Sequence, residues 1–309
     1  MTTNRPHTPH DLPHASGARP RPARARRARV TEHARWTRIT LGPGTRPLDL
    51  LTARFGRLRY AAHTHEESAV GVATHGLETI RYRGSTLLSG PGDIVVLEAG
   101  EPHTGEPATE EGFAYRVCYP RPELLGERLR CRPYFGEPVI HDPRLAAALL
   151  RAHRAACAPD ADPLRAEVEL PELLGLLTRR HARPGTTTSR MEAACAPGTA
   201  GAVMERLAAA PAQPPTLAEI AGDLGLSRYQ VVRAFRAAVG MPPYAWLAQY
   251  RVARARALLE AGLRPAEAAT RVGFADQAHL TRWFRRVLGV TPGAYRNSVQ
   301  DGRPGPGEQ

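Results

Sequence analysis

The sequence predicts an α+β multidomain protein: an N-terminal β-barrel with following helices, then a C-terminal all-α domain with two helix-turn-helix units. Three observations carry this. A run of short, evenly spaced β-like segments fills the first half of the chain. One helical unit occurs twice in succession near the C-terminus. The formal net charge of +12 is also localised: residues 1–30 and 199–296 hold surpluses of +6 and +7, leaving the middle nearly neutral. Every basic side chain of the Lys/Arg class is Arg. Coding bias explains Arg over Lys but not the uneven placement, which is the footprint of a polyanion partner.

In chain order, residues 1–34 are Pro, Arg, His and Ala with few large apolar side chains. Such a segment cannot bury enough surface to fold alone, so a disordered basic tail is expected, with an Arg run at 19–29. From residue 47 the pattern becomes Leu48–Thr52, Gly56–Ala61, Ala69–Thr74, Glu78–Tyr82, Ser85–Leu88, Asp93–Leu97 and Phe113–Tyr119. Short strands bounded by turn residues read as a barrel or sandwich, here assigned to residues 35–135. His63, His65 and Glu67 alternate, which on a strand puts them on one face, and His103 follows a Pro-Gly-Asp turn that could bring it to them. These four residues are the candidate effector-binding set.

Residues 142–158 and 163–182 read as helices within a connector region, 136–183, that either pairs two protomers or packs on the barrel. Pro171 is expected to kink or restart the second helix. Residues 184–198 have the composition of a linker. Cys118, Cys131, Cys157 and Cys195 are widely spaced, without a metal or redox pattern. No apolar leader and no run of eighteen apolar residues occurs, so a cytoplasmic protein with no membrane partner is expected.

The repeat occupies 216–296. A shift of 49 brings Ser227 onto Asp276, Arg233 onto Arg282, Phe235 onto Phe284 and Gly240 onto Gly289; upstream of the turn the shift is 48. An indel confined to the turn marks one supersecondary unit used twice. Thr216 with Glu219, and Ser227 with Gln230, are capping boxes. Val231, Ala234, Phe235 and Ala238 make one buried face; Leu280, Phe284 and Val287 make the other. Between the copies, Tyr244 to Ala261 reads as a helical rod of about 27 Å. Such a rod can hold two recognition helices roughly one DNA turn apart. The unit and one preceding helix are assigned to 199–296, and 297–309 to a second disordered tail.

The words A-x-x-V-G-F-x-D-x-x-x-L-x-R-x-F-R-x-x-x-G-x-T-P-x-x-Y-R fit Ala269 to Arg296. This stretch resembles the DNA-binding domain of the AraC family of bacterial transcription regulators. Residues 63–106, with PGD at 91–93 and GEPH at 100–103, resemble the cupin-type sensor domain found in the same family. The resemblance implies a cupin-like barrel that senses a small-molecule effector, and promoter DNA and RNA polymerase as partners. It also implies pairing of two protomers through the connector helices. It places Tyr229, Val232, Arg233, Gln277, Ala278, Thr281 and Arg282 opposite DNA bases. Arg236, Arg285 and Arg286, further along the recognition helices, are expected at phosphates. For any single Arg the competing reading is a solvated surface residue.

Metal-binding cupins carry a Glu that would fall at Ala69 or Val70 and a Pro that would fall at Glu98. No metal, cofactor or catalytic residue is therefore expected. A metal-dependent cupin enzyme remains the competing class, separable by metal analysis and a turnover screen. An effector-independent nucleoid-type DNA-binding protein is the third, separable by its lack of sequence preference.

Overall fold

The computed structural model describes residues 1, 32–42, 45–126, 132–185 and 189–300; the Arg run 19–29, Cys131 and residues 301–309 lie outside the described residues. β1 (His33–Ile39) and β2 (Leu48–Phe55) are followed by β3 (Ala69–Gly76), β4 (Glu78–Tyr82), β5 (Ser85–Ser89), β6 (Ile94–Leu97), β7 (His103–Pro107) and β8 (Phe113–Tyr119). Then come α1 (Pro122–Gly126), β9 (Pro133–Tyr134), β10 (Val139–Ile140), α2 (Pro143–Ala156), α3 (Pro163–His181) and β11 (Arg183–Pro184). Among the described residues a six-stranded antiparallel sheet runs β1-β2-β8-β3-β6-β10, a three-stranded sheet runs β5-β4-β7, and β9 pairs with β11.

Period-two alternation decides where each side chain goes. Leu51, Ala53 and Phe55 of β2, Val95 and Leu97 of β6, and Val117 of β8 face inward between the sheets. Leu48 and Leu50, Val70 and Val72, Ile94 and Val96, and Cys118 face outward, where α2 and α3 cover them. β2, β3 and β6 are buried on both faces over most of their length, which is why they read as nearly continuous apolar runs. Asp142 caps α2 by accepting from the Leu145 N–H at 3.0 Å, and Asp162 caps α3 by accepting from Leu164 at 3.0 Å. α3 continues through Pro171 rather than restarting there.

Several expectations are corrected. β1 opens at His33, inside the stretch expected as a tail, because Trp36 is buried and its neighbours pair in register with β2. No strand forms over 56–61. The N–H groups of Gly56, Arg57 and Leu58 converge on one carboxylate oxygen of Glu32, at 3.1, 2.6 and 3.1 Å. Successive N–H groups of a strand point to opposite sides, so this convergence is incompatible with one. The stretch expected as a linker contains α4 (Arg190–Cys195), started by a capping box of Ser189 and Glu192. The Ser189-x-x-Glu192 spacing is a capping-box pattern that composition alone does not register.

The C-terminal helices are α5 (Thr199–Ala209), α6 (Leu217–Asp223), α7 (Arg228–Val239), α8 (Pro243–Glu260), α9 (Pro265–Val272), α10 (Gln277–Leu288) and α11 (Pro292–Gln300). α11 runs into the expected C-terminal tail, with Val299 buried. Both expected capping boxes form, and Asp276 caps α10 through the His279 N–H at 2.6 Å. α5, α6 and α7 close one core around Val231 and Phe235. α8 to α11 close a second around Leu280, Phe284 and Tyr295, and this core is continuous with the barrel interior.

That continuity has polar supports. Arg38 of β1 donates to Asp49 of β2 at 2.6 and 2.9 Å and to Glu260 of α8 at 2.8 Å. Arg256 of α8 donates to Asp49 and, at 2.8 Å, to the Tyr295 hydroxyl of α11, which itself donates to Glu260 at 2.6 Å. The α10 terminus is held by Trp36, whose indole N–H lies 3.4 Å from the Leu288 carbonyl. Gly289 ends α10 with φ +74°, and a Cβ there would sit 2.6 Å from the Tyr60 hydroxyl. Only glycine meets both the left-handed turn and the close approach.

Candidate functional site: a barrel cavity closed by a recognition helix

A cavity of about 70 Å³ opens between the two sheets. Its wall includes His63, His65, His103, Glu78, Tyr60, Tyr115 and Tyr119 from the barrel, and Val287 and Leu288 from the last turn of α10. The three expected histidines are thus brought together. His63 and His103 exchange both backbone N–H···O bonds, at 3.0 and 2.9 Å, so their rings lie 4.3 Å apart. The His65 ring is 4.9 Å from that of His103. His63 and His65 do not share a strand, contrary to expectation. Their irregular segment is pinned from α8, where Gln249 donates to the Ala62 carbonyl at 2.7 Å and accepts from the Thr64 N–H at 3.2 Å. Glu67 is not part of the lining; its carboxylate faces Arg256 at 3.6 Å, and only its main-chain carbonyl meets His65.

Each imidazole has Nδ1 against a main-chain carbonyl: His63 on Ala61 at 2.8 Å, His103 on Glu101 at 2.9 Å, and His65 on Glu67. A carbonyl can only accept, so Nδ1 carries the proton and Nε2 is left as an acceptor. Burial keeps all three rings neutral, lowering His63 to about 4, His65 to about 3 and His103 well below its ordinary range. Among the described residues no group of three His, Cys, Asp or Glu is placed to hold a metal ion.

Sequence reasoning missed Glu78, Tyr60, Tyr115 and Tyr119. Burial alone pushes the Glu78 carboxyl up to about 8. The Tyr60 and Tyr115 hydroxyls share a 2.8 Å hydrogen bond. The signal for Glu78 was present: it shares a face with Ile80 and Tyr82 of β4, and an acid on an inward face is unusual. Nothing local to the sequence could have placed Val287 and Leu288 in a barrel wall.

These groups make stability pH-dependent. His63, His65, His103 and also His153, lowered to about 4 by burial, resist protonation in the folded chain. Unfolded histidines titrate near about 6.5, so the unfolded chain gains protons first and stability falls as pH drops from there toward 4. Glu78, with its raised pKa, acts in the opposite sense, losing stability as pH rises from its unfolded value to about 8. One carboxyl is outnumbered by four imidazoles, so the melting temperature at pH 5 is expected below that at pH 7. A melting temperature that rises over this interval in a thermal denaturation series would contradict the assignment.

The outer faces of α10 and α7 are open to solvent. Gln277, Ala278, Arg282, Arg285 and Arg286 are exposed, Thr281 is half-buried, and on α7 Tyr229, Arg233 and Arg236 are exposed with Val232 half-buried. Tyr229 is 71% exposed. Among the described residues no ion pair involves Arg233, Arg236, Arg282, Arg285 or Arg286. Arg286 lies over the Trp283 ring at 5.6 Å, and the Thr281 hydroxyl donates back to the Gln277 carbonyl at 2.8 Å. Two capped helices presenting unpaired arginines and a bare tyrosine suit a polyanion with a groove.

A barrel with an internal cavity, joined to a doubled helix-turn-helix unit, is the architecture of a DNA-binding regulator with a ligand-binding domain. The AraC-like ligand binding domain matches residues 47–174 and a helix-turn-helix domain matches residues 220–298. The chain belongs to the AraC family of bacterial transcription regulators. It is 26% identical over 228 residues to the uncharacterized HTH-type transcriptional regulator YbfI of Bacillus subtilis, covering 72% of this chain and 82% of that one. Over 87 residues it is 38% identical to a putative AraC-like transcription regulator of Streptomyces antibioticus, 28% of this chain and 29% of the relative. The fold is similar to that of wild-type ToxT from Vibrio cholerae in an unsaturated fatty acid bound structure. The TM-score is 0.50 at 11% identity, over 90% of this chain and 99% of that one. Among the described residues no helix is long and apolar enough to cross a membrane.

Proposed function

We propose that this regulator binds promoter DNA through residues 199–296 and that a small molecule in the barrel cavity changes that binding through α10. The observation that carries this reading is the double membership of α10. Its first turns present Gln277, Ala278 and Arg282 outward, and its last turn supplies Val287 and Leu288 to the cavity wall. A relay through the connector helices and the linker is the alternative route. Direct contact between cavity and recognition helix is the shorter route, because a packed interface has discrete arrangements rather than a continuum. Base contacts fall to Tyr229, Val232, Arg233, Gln277, Ala278, Thr281 and Arg282, and phosphate contacts to Arg236, Arg285 and Arg286. Thr281 reads only as an acceptor or methyl while its hydroxyl bonds Gln277.

Two protomers pair through α3, where Leu164 and Val168 are 68% and 55% exposed one turn apart, and RNA polymerase is the partner at the promoter. A fatty acid of the kind bound by ToxT suits this cavity poorly, because its wall holds no Arg or Lys to meet a carboxylate.

Ala73 lines the cavity from β3, so Ala73→Phe fills it without any ligand. Genome-wide mapping of bound DNA supplies the operator. On that operator the affinity of Ala73→Phe is expected to differ from the parent by fivefold or more, measured by fluorescence anisotropy. Equal affinities in a folded variant would remove the cavity from the mechanism.

A further inference from the structure

We propose that the cavity takes a small organic ammonium ion, a short alkyl amine whose nitrogen is held by Glu78 among the three imidazoles. This rests on the reading of the cavity as the effector site and gives the chemistry of its occupant.

The wall holds one carboxyl, three imidazoles and, among the described residues, no cationic side chain. Three Nε2 atoms point no proton inward, because each Nδ1 proton is committed to a main-chain carbonyl. The Glu78 carboxyl has no hydrogen-bond partner among the described residues. Space for it is built in: a Cβ on Gly105 would lie 2.4 Å from its Oε1. Beside these acceptors stand the hydroxyls of Tyr60, Tyr115, Tyr119, Thr104 and an unpartnered buried Ser89, which are neutral and can donate or accept. Acceptors that open into a cavity without a protein donor are free to bond whatever enters it. An ammonium supplies three N–H donors and one positive charge.

Charge points the same way. Among the described residues no Arg or Lys lines the cavity. The nearby Arg256 is committed to Asp49, Glu67 and Glu260. An anion would meet an acid and three lone pairs, whereas a cation meets Glu78 and the faces of tyrosine rings, which attract positive charge. Size narrows the class. A cavity of about 70 Å³ is about half the roughly 150 Å³ that holds a benzene, so a short branched alkyl group fits better than an arene. Because burial pushes Glu78 up to about 8, the carboxyl is mostly protonated at pH 7. Docking a cation ionises it, and one proton leaves the complex. The facing groups do not compete for this change: the three histidines stay neutral, and burial pushes the Tyr60, Tyr115 and Tyr119 hydroxyls up.

The test compares isobutylamine, isobutanol and isobutyrate, alike in shape and different in charge, on the full chain by calorimetry or ligand-observed NMR. Isobutylamine is expected to bind at least tenfold more tightly than isobutanol, with no binding of isobutyrate. About one proton should be released at pH 7, read from heats in buffers of different ionisation enthalpy. Glu78→Gln should bring the amine-to-alcohol ratio near one, and Gly105→Ala, which displaces the carboxyl, should lower amine affinity about tenfold. Isobutyrate binding best, an amine preference that survives Glu78→Gln, amine binding abolished by a chelator, or binding of none of the three would each overturn the proposal. Ala73→Phe separates the two ideas. If it shifts operator affinity while isobutyrate wins, only the ammonium chemistry falls; if the amine binds as expected and Ala73→Phe is silent on DNA, the effector reading falls instead.

Discussion

Asp49→Ala is expected to undock the second helix-turn-helix unit from the barrel. The Asp49 carboxylate is 5% exposed and receives Arg38 and Arg256 together. Deleting it leaves two guanidinium groups in a closed interface with Glu260 and Glu67 as their remaining partners. Breaking a buried pair from one side costs about 3–5 kcal/mol. The lower end, about 3 kcal/mol, applies here, because the two Arg side chains keep 20% and 18% of their surface in water. At roughly 2 °C or more per kcal/mol the melting temperature should fall by about 6 °C. The single transition should split, because the damage lies between the two cores rather than inside either. Calorimetry of Asp49→Ala beside Asp49→Asn measures this. A lone transition within a degree of the parent would show that the network does not hold the two parts together.

Arg282→Ala and Arg286→Ala should fail in different ways on the same operator. Arg282 stands six residues after the Asp276 cap, exposed and unpaired, on the side of α10 away from Leu280 and Phe284. A bidentate contact to guanine is worth about 1–3 kcal/mol, so its loss should relax preference at one position. Arg286 lies a turn further on, over Trp283, with its own carbonyl accepting the Ala61 N–H at 3.3 Å. Its side chain is left for a phosphate. Loss should weaken all sequences alike and reduce the salt slope by about one. Anisotropy titrations on single-base operator variants at several salt concentrations compare the two. If Arg282→Ala lowers affinity evenly with base preferences intact, α10 meets DNA by another face.

The sequence was most legible where the governing interactions are local. The cap of α7 at Ser227 and the spacing of Val231 with Phe235 depend on residues within about one helical turn. Both were read correctly from the chain alone. β4 and β8 were read to the residue, because their alternation and flanking turns are equally local. The stretch 56–61 misled because its backbone conformation is set by Glu32, more than twenty residues away, rather than by its own pattern. β1 was missed because His33, Arg35, Thr37 and Arg38 make most of it polar, and only pairing with β2 makes it a strand.

The candidate site divides along the same line. By itself the sequence determined a doubled, capped helical unit with basic outer faces and a neutral barrel before it. Those are consequences of periodicity, capping and charge, which need no knowledge of what lies across the fold. Tertiary structure alone decided that Glu67 turns to Arg256 while Glu78 faces the cavity. It alone decided that Gln249 of α8 holds the His63–His65 segment and that Val287 and Leu288 close the cavity. Each of these joins residues far apart in sequence, 185 positions in the Thr64–Gln249 bond. Such contacts are set by how two apolar surfaces bury each other, and burial is non-directional: it leaves the partner unnamed in either sequence.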